Sequence, residues 1–256
     1  MPCTATGIVS IALAVTALAL SSIALALPMW ASSSSIQGEP TDTPAMLHNV
    51  QFSVGVWGYC INADLTQDYN HIILDQCFSF YSSRDITNAL RINGTAVATT
   101  LNNAAIEMNS SHAALCDLPD LGSATALLTP LKPLEYNAFV SRSCGSLGKA
   151  SLSFAALSSG FGALTCLTLL LCITCCSAKS CFVSLAKVFG LLSFTSSVVT
   201  FGCWTGQATD LTNVSFGISF AFEVAAAALY ALTFVALVFH QKRGIQTEDK
   251  VVDPSP

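Results

Sequence analysis

Apolar positions along the chain gather into four long runs, at residues 7–27, 152–174, 182–204 and 216–239. Each is close to the roughly 20 residues needed to cross a hydrocarbon core of about 30 Å. The first two carry no charged side chain, the third only Lys187 near its start, and the fourth only Glu223. Core helices of soluble proteins keep a polar face and are seldom this long, so the pattern predicts four membrane spans. Ala24-Leu25-Ala26 has the small-x-small form of a signal-peptide cleavage site. No Lys or Arg precedes the apolar run, however, and the run is longer than a usual signal core, so a retained span is expected.

Between the first two runs the periodicity changes. Residues 49–56 alternate polar and apolar side chains, the pattern of a half-buried strand, and a second strand is expected over 72–81 around Cys77. Val97, Leu101, Ala104, Ala105 and Met108 have helical spacing, which predicts a surface helix over 95–108. Residues 31–48, with Ser32–Ser35, Gly38, Pro40 and Pro44, read as irregular, and Pro130 and Pro133 are expected to break the chain before the second span.

Composition strengthens the membrane reading. Only 10% of the 256 residues are charged, 52% are hydrophobic and the mean hydropathy is +0.60; an ordinary globular chain has about 25% charged residues. With ten Lys plus Arg and a net charge of −5, the chain has no electrostatic footprint for nucleic acid. Lys179, Lys187, Lys242, Arg243 and Lys250 flank the short connections on one side, which places that side and both termini in the cytosol. The expected layout is a cytosolic 1–6, a large outer loop domain over 28–151, a cytosolic 175–181, a short outer 205–215 and a cytosolic 240–256, most simply in the plasma membrane. The outer segments then hold 5 basic and 11 acidic residues, and the inner ones 5 basic and 3 acidic. The sequons at Asn93 and Asn109 fall outside the cell and are the glycosylation candidates; Asn213 lies too near the membrane.

The same topology sorts the eleven cysteines. Cys60, Cys77, Cys116 and Cys144 lie in the oxidising compartment, where disulfides form. Four cysteines allow three pairings; the short intervening loop favours Cys60–Cys77, which leaves Cys116–Cys144. Cys172, Cys175, Cys176 and Cys181 lie at the inner side. No His accompanies them to complete a zinc shell, so small apolar fillers, or palmitoylation at Cys175, Cys176 and Cys181, are the better readings.

Glu223 is the sharpest intramembrane residue. Seven residues into its run, it lies about 10 Å deep at 1.5 Å per residue. Ser21, Ser22, Ser158, Ser159, Ser196, Ser197 and Thr200 fall at matching depth on the other spans, forming a polar belt in which a protonated Glu223 has hydrogen-bonding partners. That structural role is favoured over an ion or proton site. Gly217, Ala221 and Ala225, and Ser158 with Gly162, repeat small residues every fourth position, which lets helices approach closely.

In the loop after the first span, Trp30 is followed by Gly55-Val56-Trp57-Gly58-Tyr59-Cys60 and then Cys77. In this the chain resembles the claudin superfamily of four-span proteins, whose first outer loop carries a Trp, then Gly-Leu-Trp, then two cysteines. The fit is closer to fungal branches of the Sur-seven/PalI type, whose signature is Gly, two apolar residues, Gly, any residue, Cys, then a later Cys. The resemblance implies an all-α transmembrane four-helix bundle capped by a small extracellular β-sheet from the first outer loop, tied by Cys60–Cys77. It also implies Trp57 wedged against the outer helix ends; simple interfacial anchoring of Trp30 and Trp57 is the plain alternative. The chain departs from claudins in its long first loop, its Cys116/Cys144 pair, its 11-residue second outer loop and its Asp253-Pro254-Ser255-Pro256 end.

His48, His71, His112 and His240 are scattered, and no nucleophile-elbow or phosphate-loop motif occurs, so neither an enzyme nor a bound cofactor is expected. The expected function is organisation of membrane domains or cell-surface adhesion. Its partners are the bilayer, lateral neighbours (copies of itself or other membrane proteins), and an extracellular protein, wall or matrix. The alternative is an auxiliary or pore-lining component for cation passage.

Overall fold

The computed structural model describes residues 5–33, 47–67, 70–82, 114–117, 131–174, 179–211 and 214–252. In chain order these form α1 (Ala5–Ala26), β1 (Ala31–Ser33), β2 (Leu47–Val54), β3 (Gly58–Gln67), β4 (Asn70–Ser79), a 3-10 turn (Leu115–Asp117), α2 (Pro133–Cys144), α3 (Ser146–Thr174), α4 (Lys179–Gln207), a second 3-10 turn (Ala208–Asp210), β5 (Ser215–Phe216) and α5 (Ile218–Val252). The chain divides into two compact units. One is drawn from Met1–Ile23, Ser153–Phe201 and Phe222–Pro256, the other from Ala24–Leu152 and Gly202–Ala221.

The first unit is helical. Stretches of α1, α3, α4 and α5, namely Gly7–Ala26, Ser146–Cys172, Cys181–Gln207 and Ile218–Gln241, are each long and apolar enough to cross a membrane. Their side chains are arranged opposite to those of a soluble bundle. Ile8, Val15, Leu167, Leu170, Val188, Leu232, Val235 and Phe239 are exposed, whereas Ser10, Ser21, Ser158, Thr165, Ser193, Ser197, Thr200 and Thr233 are buried. Small apolar residues complete the interior: Ala14 of α1, Cys166 and Leu169 of α3, Ala186 of α4 and Leu237 of α5 pack as one cluster, so all four helices meet there. A second cluster joins Ala17, Ala226 and Tyr230. Gly162 makes room for it, since a Cβ at that position would run into the Tyr230 phenol.

Several buried hydroxyls turn back on their own helix. Thr165, Thr168, Thr200 and Thr233 donate to the carbonyls of Phe161, Leu164, Ser196 and Leu229 at 2.8–2.9 Å. A hydroxyl satisfied this way can be buried without a partner on another helix. Ser22, expected in the polar belt, is instead exposed, because it lies about 100° round α1 from the inward Ser21 and falls on the outer face. The helices also outrun the apolar runs. Serine at 146 starts α3 well before 152, and α5 continues to Val252, with no proline before Pro254 to stop it.

The second unit holds an antiparallel sheet of strand order β4-β3-β2-β1-β5. In β2 the expected alternation is present: Val50, Phe52 and Val54 are buried and Gln51 is exposed, with a register shift between His48 and Gln51. The strand expected over 72–81 is β4, two residues earlier. Strand β3 was not expected, although Tyr59, Ile61, Ala63 and Leu65 alternate with polar residues; Asp64, whose charge suits a loop, sits in it opposite Ile73. The short strands β1 and β5 pair as Ala31↔Phe216 and Ser32↔Ser215, in segments read as irregular and as the start of the fourth span. Pro133 begins α2 rather than breaking the chain, because a helix's first turn needs no N–H there. The expected helix over 95–108 lies outside the described residues.

Two glycines separate tight from open backbone. A Cβ on Gly58 would collide with the carbonyl of Phe78 on β4, whereas one on Gly160 of α3 meets nothing within 4 Å. Gly58→Ala should therefore destabilise the protein by at least about 1–3 kcal/mol through overpacking. Gly160→Ala should be neutral or stabilising by up to about 1 kcal/mol, since alanine is the better helix former. Thermal unfolding of the two variants in detergent, with shifts of opposite sign, checks this.

Candidate functional site

The chain leaves α1 at Ala26 and must satisfy carbonyls that the helix no longer pairs. Two tryptophans do this. The Trp30 indole N–H donates to Ala24 O at 2.7 Å, and that of Trp57 donates to Ala26 O at 3.1 Å. Trp30 is fully buried, so it is not an interfacial anchor at the surface; Trp57 is half-buried. Gly217 N donates to Trp30 O at 2.8 Å and Ser219 N to Met29 O at 3.0 Å, which locks the start of α5 to the same turn. Gly217 must be glycine for this approach, since a Cβ would meet the Met29 carbonyl. It thus precedes α5; of the expected stripe of small residues, Ala221 is exposed and Ala225 half-buried.

The motif residues between Gly55 and Cys60 make the tight corner from β2 to β3. Gly55 N donates to Gly58 O at 2.8 Å, and a Cβ on Gly55 would lie 2.8 Å from Pro28 Cα. Val56 is buried, and Trp57 O accepts from Phe80 N at 2.9 Å. Cys60 and Cys77 are register partners on β3 and β4, with Cα atoms 4.0 Å apart, and are disulfide-bonded. Cys116, in the first 3-10 turn, is bonded to Cys144 at the end of α2.

An aromatic chain fills the space behind this corner. Tyr59 packs on Phe52, Phe78, Phe80 and Tyr136, and Tyr136 donates its hydroxyl to that of Tyr59 at 2.6 Å. Phe80 leads to Phe139, then Trp204, then Trp30 at 5.5 Å between ring centroids, and Trp30 to Phe220. Edge-to-face and tilted pairs of this kind add about 0.5–1.5 kcal/mol each beyond burial. Arg142 of α2 donates to Gly206 O at 3.1 Å and to Thr209 Oγ1, placing a cation on the final turn of α4 where the helix dipole favours it. Tyr59, Tyr136, Arg142 and Trp204 do not stand out in the sequence, because nothing in their spacing distinguishes them until the sheet and α2 are assembled. Tyr81 donates its hydroxyl to Ser143 O, and burial pushes its phenol up to about 12.

Within the helical unit, Glu223 is fully buried, and neither carboxyl oxygen has a hydrogen-bond partner among the described residues. Ser197, Ser21 and Ser158 stand beside it and act on its charge. Those hydroxyls bond one another instead: Ser21 to Ser158 and to Ser159, each at 3.1 Å, and Ser158 to Ser197 at 2.7 Å. The structure thus brings together four of the expected belt residues from three helices around the acid of the fourth. Ser196 is buried, and its carbonyl is used by Thr200.

Asn93, Asn109, Cys175 and Cys176 lie outside the described residues. Cys181 is exposed near the start of α4. Among the described residues no three His, Cys, Asp or Glu side chains gather as a metal site.

Two outcomes test the corner. Trp30→Phe keeps most of the ring contacts but orphans Ala24 O in a buried place, and should cost about 1–3 kcal/mol; Trp57→Phe, at a wetter position, should cost about 1 kcal/mol or less. Thermal melts of both variants read this. Tyr81 ionises near 10 unfolded and about 12 folded, so its neutral form is favoured by folding. The resulting stability is complete below pH 10 and is lost as pH rises through 12. With free thiols blocked, melting temperature should fall across that window in the parent and stay flatter in Tyr81→Phe. No protein-family model matches the chain, and no curated protein matches its sequence.

Proposed function

We propose that this chain is a four-span integral protein of the plasma membrane, claudin-like, with both termini cytosolic. It organises membrane domains or cell-surface contacts through lateral assembly of its spans and through its disulfide-tied outer unit. The observation that carries the reading is the reversed distribution of side chains on four long helices, apolar outside and hydroxyl-bearing inside. In water that surface would be a large aggregation hazard; in lipid it is a solvated face, and polar groups belong in the interior.

The claudin-like assignment is supported by the work its motif residues do. The two tryptophans satisfy the end of α1, the two glycines allow a corner too tight for any side chain, and Cys60 and Cys77 join neighbouring strands. A contact role for the outer unit is supported by two features. Among the described residues β4 has a single neighbouring strand, leaving a ten-residue edge, and sheet edges recruit partner chains. Leu134 at the start of α2 is 83% exposed, and Phe216 is also exposed. Glycans at Asn93 and Asn109, and palmitate at Cys175, Cys176 or Cys181, fit the same topology.

A second reading, regulation or lining of a cation pathway, is favoured by one observation, the buried carboxyl of Glu223 beside the hydroxyls of Ser21, Ser158 and Ser197.

The full chain, labelled at Cys181 and reconstituted into two fluorescent vesicle populations, tests the first reading. Lateral energy transfer should rise at chain densities where a monomeric four-span control stays flat, and the populations should tether. Leu134→Asp should reduce tethering several-fold while leaving the melting temperature within about 1 °C, as expected of an exposed site. Monomeric behaviour with no tethering would overturn the proposal, and a cation leak abolished by Glu223→Gln would favour the second reading.

A further inference from the structure

One flank of the sheet-bearing unit is apolar and free of charge. Leu27, Met29, Phe216 and Ile218 each expose 37–58% of their surface. They stand on two segments held together by the β1–β5 ladder, by Gly217 N donating to Trp30 O and by Ser219 N donating to Met29 O. Phe216 stacks on Phe220 at 4.4 Å between ring centroids, which makes the aromatic part of the flank a fixed plate. No ionisable side chain occurs over residues 5–38 or 211–222. Around α2 of the same unit the surface is different, with Lys132 and Lys149 exposed and Glu135 and Arg142 half-buried.

Water, another chain and lipid are the three occupants open to this flank. Water is the poorest, since apolar surface of this kind left wet is an aggregation hazard. A partner strand has little to pair with, because β5 is two residues long whereas β4 offers ten. A side-chain interface between chains carries a polar rim with its own hydrogen bonds, and the flank has no charged residue with which to build one. Lipid makes a different demand, that backbone N–H and C=O groups be satisfied within the chain. Here that demand is met. Gly217 N and Ser219 N are paired with Trp30 O and Met29 O, Leu27 O accepts from Ser219 Oγ at 3.4 Å, and the indoles of Trp30 and Trp57 take Ala24 O and Ala26 O. The flank is also continuous with surface suited to lipid: Leu27 directly follows the apolar stretch Gly7–Ala26, and Ile218 opens the stretch Ile218–Gln241. Half-buried Trp57, an amphipathic ring bonded to Ala26, suits the boundary between acyl chains and headgroups.

We propose that this flank is a lipid-contact surface: Leu27, Met29, Phe216 and Ile218 are immersed at the acyl–headgroup boundary of one leaflet, so that phospholipid covers the β5 edge of the sheet. The inference rests on the four-span reading above and deepens it, because the bilayer then grips the sheet as well as the helices. Phe216 serves the membrane, and contact with other chains is left to the β4 edge and Leu134.

The test uses the full chain in phosphatidylcholine vesicles, with a photo-reactive benzophenone amino acid in place of Met29, Leu134, Phe216 or Leu232 in separate variants. Irradiated benzophenone inserts into nearby C–H bonds, and the mass of each product names what stood beside it. Intact Cys60–Cys77 and Cys116–Cys144 bonds report that a variant has folded, and all four positions are exposed, so the substitutions are mild. Positions 29 and 216 should give phospholipid adducts at yields similar to position 232, within the apolar stretch of α5, and several-fold above position 134. Chain-to-chain products at 29 and 216 in place of lipid adducts would overturn the proposal and make a second copy the occupant. Lipid adducts at 232 with none at 29 or 216, or equal yields at 134 and 216, would also overturn it while leaving the four-span reading intact. Absence of lipid adducts at 232 itself would sink both.

Discussion

The end of α1 is the constraint on which the sheet-bearing unit depends. A helix that ends leaves its last carbonyls without partners; here Ala24 O is buried and Ala26 O lies at an exposed position, and each is met by an indole. Indole is well suited to the task, since it delivers one N–H on a large apolar plate. Trp30 and Trp57 answer Ala24 and Ala26, and each then becomes a fixed point. Trp30 nucleates the aromatic chain through Trp204 and Phe139 towards the sheet, and Trp57 holds the β2–β3 corner whose strands carry the disulfide. The motif is therefore a solution to helix termination first, and the sheet is built on that solution.

The helical unit answers a different demand. Its threonines satisfy themselves against the preceding turn, so they can be buried with little need for one another. Its serines reach across instead, and Ser158 holds two helices at once through Ser21 and Ser197. Serine lacks the methyl that stiffens threonine's rotamer, which leaves it freer to point between helices. Among the described residues of this unit, the Ser193 and Tyr230 hydroxyls and the carboxyl of Glu223 fall outside both schemes.

Much of this is legible in the sequence where one local rule acts alone. Twenty apolar residues announce a helix long and apolar enough to cross a membrane, strict alternation announces β2, and a lone acid within an apolar run announces itself. The misses occur where two rules compete. The alternation of β3 is masked by Asp64, because a charge near a turn reads as loop until a neighbouring strand is known to be there. Pro133 signals either a break or a helix start, and the choice rests on the residues C-terminal to it. Ser21 and Ser22 are chemically identical, and only helical phase distinguishes the inward one. Strands β1 and β5 are three and two residues long, too short for any periodicity, and they exist only because segments nearly two hundred residues apart are brought together. Arg142 is likewise unremarkable until α4 ends beside it.

The pairing of β1 with β5 bears on biosynthesis. Residue 31 is paired with residue 216, and the ring of Trp30 is covered in part by Trp204 and Phe220. A ribosome releases the chain in order, so β2, β3 and β4 can pair early, while β1 waits for β5. Throughout that interval the indole that terminates α1 lacks two of its aromatic neighbours, and the sheet has an open side where β5 will later lie. The nascent chain thus spends most of its synthesis with its central tryptophan incompletely enclosed, and quality control that senses exposed aromatic surface would hold it until translation has passed Phe220.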